Sequence, residues 1–255
     1  MAPLFVDSAT HPTIAAFIDI AGPGKVEGSY LAEVVTWLYG DQFLCALEEN
    51  LRATLHVFRD DGNSRAHFLS ESRSEFLQIL GEVWIAAHFV RYGFRIHRES
   101  TAGRSSDFIF VHTESGTRGR VEVKKVDYEQ KAAAAPQSIW GSVPSTLVDT
   151  ADFVVQAGRK IKGAVGQLAP DGTEVHVLAL DFTASHTYER VLSPIPFEDS
   201  TATLAWVRQS LQGRVVPPVA DALLCFCIGL DRPEPAVLRF LPLCDGLPPP
   251  FISSA

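Results

Sequence analysis

Arg104 to Lys125, RSSDFIFVHTESGTRGRVEVKK, is the stretch whose reading decides the fold. It predicts a β-hairpin. Asp107 opens a first strand, FIFV; a turn rich in Gly, Ser and Thr follows, HTESGTRG; VEVKK is the second strand. Side chains along a strand alternate between its two faces. Glu122 and Lys124 therefore share one face, and Val121 and Val123 the other. Pairing the strands brings Asp107 toward the far end of the second one. Two carboxylates and an ammonium then meet on one side of a sheet, a set that suits a hard divalent cation with oxygen ligands and a lysine beside it. Taken alone, the VEVK alternation is also what a solvated strand face shows. The Asp at the mouth of the preceding strand and the helix before it separate the two readings.

That helix is expected from EFLQILGEVWIAAHFVRYG. Ser72-Arg73-Ser74-Glu75 fits a capping box at its start. Phe76, Ile79, Leu80, Val83, Ala87 and Val90 form an apolar stripe, and Gly93 suits the stop. Glu82 falls at the edge of the stripe, where a carboxylate can face the sheet; a capped, solvent-facing Glu is the competing reading. Glu75 lies two turns earlier on nearly the same line, and His88 projects to the surface. FRIHRE then reads as a strand with Phe94 and Ile96 inward.

Upstream, residues 1–27 read as irregular, with Pro3, Pro12 and Pro23 as breakers. AGPGKV is no phosphate loop, because the earlier glycine is missing and Val26 stands where Ser or Thr is needed. Residues 28–57 carry helical periodicity with a break at Gly40-Asp41, and RDDGNSRAHF reads as a loop or short hairpin. Downstream of the hairpin comes DYEQKAAAAPQSIWGSVPS, a long connection. Tyr128, Gln130, Lys131, Gln137 and Trp140 in it could stack on bases or hold a backbone. DTADFVVQAGRKIKGAVGQL reads as a helix, or as a short strand DFVVQA leading into one, carrying Arg159, Lys160, Lys162 and Gln167. A strand follows in TEVHVLALDFT, a helix in STATLAWVRQSLQG, strands in ADALLCFCIGL and PAVLRFLPL, and a proline-rich tail. No internal repeat is visible. The fold class is α/β, a mixed central sheet flanked by helices.

The chain of 255 residues can bury a sizeable core, and its 46% hydrophobic and 20% charged content is that of a soluble globular protein. No apolar run reaches the roughly 20 residues needed to span a bilayer, and the start lacks a secretory signal pattern. Four cysteines are too few for a disulfide framework in a chain this long. Cys225 and Cys227 sit in an apolar strand and read as core filling, since no Cys/His partner pair for zinc is evident. A reducing cytoplasm is the expected location. The net charge of −8 disfavours a nonspecific polyanion binder. Its distribution is uneven. Residues 1–70 hold four Lys/Arg against nine Asp/Glu, whereas residues 91–131 hold nine against six, so the basic surplus surrounds the hairpin.

The segment from Glu75 to about Thr183 resembles the PD-(D/E)XK nuclease superfamily, whose restriction-endonuclease-like core runs α-β-β-β-α-β. Asp107, Glu122 and Lys124 match its motif as S-D…E-V-K, with Ser106 where the family often has Pro. The resemblance implies a core over 71–183; outside it, residues 1–70 are expected as an N-terminal helical extension and 184–255 as a C-terminal helix and strands extending the same domain. It implies Asp107 and Glu122 as ligands of Mg²⁺ or Mn²⁺, with the backbone carbonyl of Val123 as a third. Glu82 would complete the site, Lys124 would orient the attacking water, and Lys162 or Gln167 could contribute from the second core helix. The implied activity is phosphodiester hydrolysis, with DNA favoured over RNA. A homodimer through residues 28–57 is among the partners it admits. The rival reading is a nuclease-like module with weak or no catalysis that binds nucleic acid or a protein, and the acidic N-terminal part suits it. A nucleotide-binding regulator is weaker, for want of a phosphate-cradling glycine loop.

Overall fold

A computed structural model describes residues 6–22, 26–36, 40–98, 106–126, 174–181, 220–229 and 231–242, with Lys160, Ala164, Thr183 and Leu247 singly. Among the described residues five helices precede six strands: α1 (Pro12–Ala21), α2 (Tyr30–Val34), α3 (Gly40–Phe58), α4 (Gly62–Phe68), α5 (Arg73–Arg91), β1 (Phe94–His97), β2 (Phe108–His112), β3 (Arg118–Lys125), β4 (Val175–Asp181), β5 (Ala222–Ile228) and β6 (Pro235–Pro242). The protein is α/β with a six-stranded mixed sheet in the order β1-β2-β3-β4-β5-β6. β1 and β2 are antiparallel, while β3, β4 and β5 run parallel. Parallel neighbours require crossovers. The crossover from β3 to β4 spans 127–173, of which Lys160 and Ala164 are described, both helical. The expected helices around Lys162, Gln167 and STATLAWVRQSLQG, and the connection bearing Tyr128, Gln130, Lys131, Gln137 and Trp140, lie outside the described residues.

Contacts divide the chain into two compact units. The first holds residues 1–99, 108–116 and 228–237. Its core is aromatic. Phe17 meets Phe68 edge-on at 4.8 Å, Phe43 stacks on Trp84 at 6.4 Å, and Phe89 packs on Phe94, Phe108 and Phe110 at 5.0–5.7 Å. The β1–β2 register, Phe94↔His112 and Ile96↔Phe110, puts the inward residues of both strands on one face, as the FRIH alternation predicts. Gly93 has φ +82°, the left-handed geometry that ends α5 without a Cβ penalty.

Three local expectations need correction. Residues 1–27 are not wholly irregular, because Pro12 starts a helix rather than breaking one. At the first helical position its missing N–H costs nothing. Glu48 of α3 then accepts from the free amides of Thr13 (3.0 Å) and Ile14 (2.9 Å). Burial would raise the pKa of Glu48, but these bonds and Arg52 outweigh it and lower it. RDDGNSRAHF is not a loop or hairpin but contains α4, capped by Asp61 accepting from the Ser64 amide at 3.0 Å. The capping box does not form: Ser72 occupies the N-cap without a side-chain bond, and Glu75 accepts instead from the Ser70 hydroxyl at 2.6 Å.

α5 is buried around most of its circumference, including Leu77, Trp84, Ile85 and Ala86 off the expected stripe. His88 is half-buried rather than a surface residue. Burial, then the neighbouring Arg91, lowers its pKa to about 4.

The second unit holds residues 100–107, 117–227 and 238–255. Every residue of β4 and β5 is buried, as expected for strands covered on both faces. Cys225 and Cys227 lie within β5 as core, and burial pushes both thiols well up. No described helix is long and apolar enough to cross a membrane.

Candidate active site

β3 carries the candidate site, and its alternation sets who faces whom. Arg120, Glu122 and Lys124 lie on one face; Val121, Val123 and Lys125 lie on the other. The parallel register extends both faces onto β4, matching Arg120 with His176, Glu122 with Leu178, Lys124 with Leu180 and Lys125 with Asp181. Leu178 and Leu180 are buried, so Glu122 is held against an apolar wall with 1% of its surface exposed.

Lys124 reaches back along this face and donates from Nζ to Glu122 Oε1. The other oxygen, Oε2, is buried and has no hydrogen-bond partner among the described residues. Asp107 stands at the entrance to β2, half-buried, and its Oδ2 accepts from the Val123 amide at 2.6 Å. A strand amide is ordinarily directed at a backbone carbonyl, so the carboxylate fixes itself on the β3 main chain beside Glu122. Burial, then the Asp107 charge, raises the Glu122 pKa to about 7, while Lys124 and the Asp107 amide pull it back.

This donor set fits a hard divalent cation. An acidic oxygen buried without a partner, beside a second carboxylate, is a place where positive charge is stabilising. Among the described residues no group of three His, Cys, Asp or Glu side chains could hold a metal ion. A cation here would draw on two carboxylates, a backbone carbonyl and water, the usual habit of Mg²⁺. Val123 contributes its amide to Asp107, and its side chain is buried on the opposite face.

Glu82 belongs to the helical unit, inside α5 rather than at its rim. Both of its oxygens are engaged: Oε1 accepts from Gln78 (3.0 Å) and Oε2 from Arg98 (2.5 Å). Arg98 also pairs with Asp61 at 3.2 Å and lies over the Phe58 ring at 5.1 Å. Burial pushes the Glu82 pKa up and Arg98 opposes it. In this arrangement Glu82 ties α5 to the segment following β1 and, through Arg98, to the start of α4.

Sequence reasoning passed over Arg120, although the same alternation that pairs Glu122 with Lys124 places it on their face. Arg120 Nε donates to Glu174 at 2.8 Å. It also missed His176, buried, whose amide donates to Asp221 at 2.8 Å. Both look ordinary in a linear sequence, since their partners are 54 and 45 residues away. No family model, curated protein or solved structure matches the chain.

Proposed function

We propose that the protein is a nuclease of the PD-(D/E)XK type, dependent on Mg²⁺ or Mn²⁺, hydrolysing phosphodiester bonds with DNA favoured over RNA. The observation that carries this reading is Glu122, a buried carboxylate with one oxygen lacking a hydrogen-bond partner among the described residues, flanked by Asp107 and touched by Lys124. When bound, the cation supplies Lewis acidity toward the phosphate and lowers the pKa of coordinated water. Asp107 and Glu122 hold it, with the Val123 carbonyl as the third protein donor. Asp107 is pre-positioned by its bond to the Val123 amide, so its carboxylate loses little freedom on loading. The apolar wall of Leu178 and Leu180 keeps bulk water from Glu122. Lys124, at 23% exposure, can turn its ammonium to the phosphate, oppose the charge that develops there and orient the attacking water.

The test is Mn²⁺-supported cleavage of plasmid, single-stranded DNA and RNA by wild type and Lys124→Ala. Cleavage by wild type that the variant loses is the expected outcome. Failure of wild type on all three substrates would overturn the catalytic reading in favour of a binding module. One observation favours that second reading: without a cation, Lys124 already neutralises Glu122, so the fold satisfies much of the site internally. We place the protein in the cytoplasm, in keeping with its free cysteines.

A further inference from the structure

We propose that Lys124 is an internal competitor for the cation, a latch that closes the site on Glu122 until a phosphate draws the ammonium away. This rests on the reading of Asp107 and Glu122 as a cation site. Glu122 is 1% exposed, and a carboxylate so buried is costly without a counter-charge. Among the described residues Lys124 supplies that charge, through Nζ on Oε1. The pair is lopsided. Glu122 is almost fully covered on its face of β3, whereas the Lys124 side chain is 23% exposed and can swing out on four methylenes. Asp107, the second carboxylate, is held by the Val123 amide rather than by Lys124. Oε1 is therefore covered by Lys124, while Oε2 has no hydrogen-bond partner among the described residues. A cation engaging the whole carboxylate must displace the ammonium.

Two consequences follow from this competition. Removing the ammonium should tighten cation binding even as it removes the group that serves the phosphate. Substrate and cation should also help each other bind, because a phosphate that takes Lys124 uncovers Glu122, and such coupling is reciprocal.

The experiment is calorimetric titration of the full chain with Mn²⁺, comparing wild type with Lys124→Met and Lys124→Gln at one pH and low salt. Gln retains a donor for Glu122 should the Met variant fail to fold, and circular dichroism checks both. The expected result is Mn²⁺ binding to wild type that tightens by about fivefold or more in either folded variant, the lower end of common coupling strengths. Wild-type binding with unchanged or weaker binding in the variants would overturn the latch and leave the cation site standing. Absence of Mn²⁺ binding in wild type and variants alike would overturn both.

Discussion

Glu122→Gln should make the protein more stable, and by an amount that grows with pH. The Glu122 pKa rises from 4.5 to about 7 on folding, chiefly by burial and then by Asp107. The folded state thus holds the proton more tightly than the unfolded chain. The stability this brings is fully present below pH 4.5 and disappears as pH climbs through 7. Applying the linkage relation between pH 5 and pH 8, wild type loses about 2.5 kcal/mol from this one group. Gln carries no such charge and loses none of it. Urea denaturation at pH 5, 6.5 and 8 with a chelator present, each protein compared with itself across pH, isolates the difference from other titrating groups. The two stability profiles should diverge by roughly 2.5 kcal/mol between the extremes. Saturating Mg²⁺ at pH 8 should then restore wild type and leave the variant unmoved, because only the charged carboxylate gains from the cation. Parallel profiles, or a wild type that gains on the variant as pH rises, would refute the assignment of Glu122 as a strained buried acid.

Other parts of the molecule make their own forecasts. Arg98→Met should cost about 3–5 kcal/mol in urea denaturation, since it strands Glu82 in the core of the helical unit. Pairing it with Glu82→Gln should recover part of the loss, and a double variant no better than Arg98→Met would sink the ion-pair account. Glu48→Ala should remove about 1 kcal/mol by uncapping α1, again read by denaturation; no change would mean the Thr13 and Ile14 amides are satisfied otherwise. Cys45 is exposed and should react with a thiol reagent in the native protein, whereas Cys225 and Cys227 should react only after unfolding. Mass spectrometry of the labelled peptides decides the matter.

Much of the strand architecture can be read from the linear sequence, because period-two alternation is a local property. FRIH, VEVKK, VHVLALD and ALLCFCI all form strands, and Glu122 and Lys124 share a face as their spacing requires. What the sequence conceals are features fixed by distant partners. α1 depends on Glu48, 34 residues from Ile14, so a proline-rich start looked unstructured. Glu75 had two serines within reach, and the geometry before α5 gave it to Ser70. One apolar stripe on a helical wheel puts Glu82 at its margin, yet α5 is buried on most sides. Its counter-ion, Arg98, lies beyond β1 and cannot be inferred from a helical wheel. Asp107 was legible as a strand opener, but its grip on the Val123 amide was not.

That grip gives Asp107 two employers. One oxygen belongs to the scaffold, and truncating the side chain to Ala would free the β3 amide as well as delete the charge, confounding a lesion in chemistry with one in architecture. Asn is nearly the same size and retains a carbonyl oxygen able to take the same N–H. The asparagine variant is therefore the one whose silence could be blamed on lost chemistry alone.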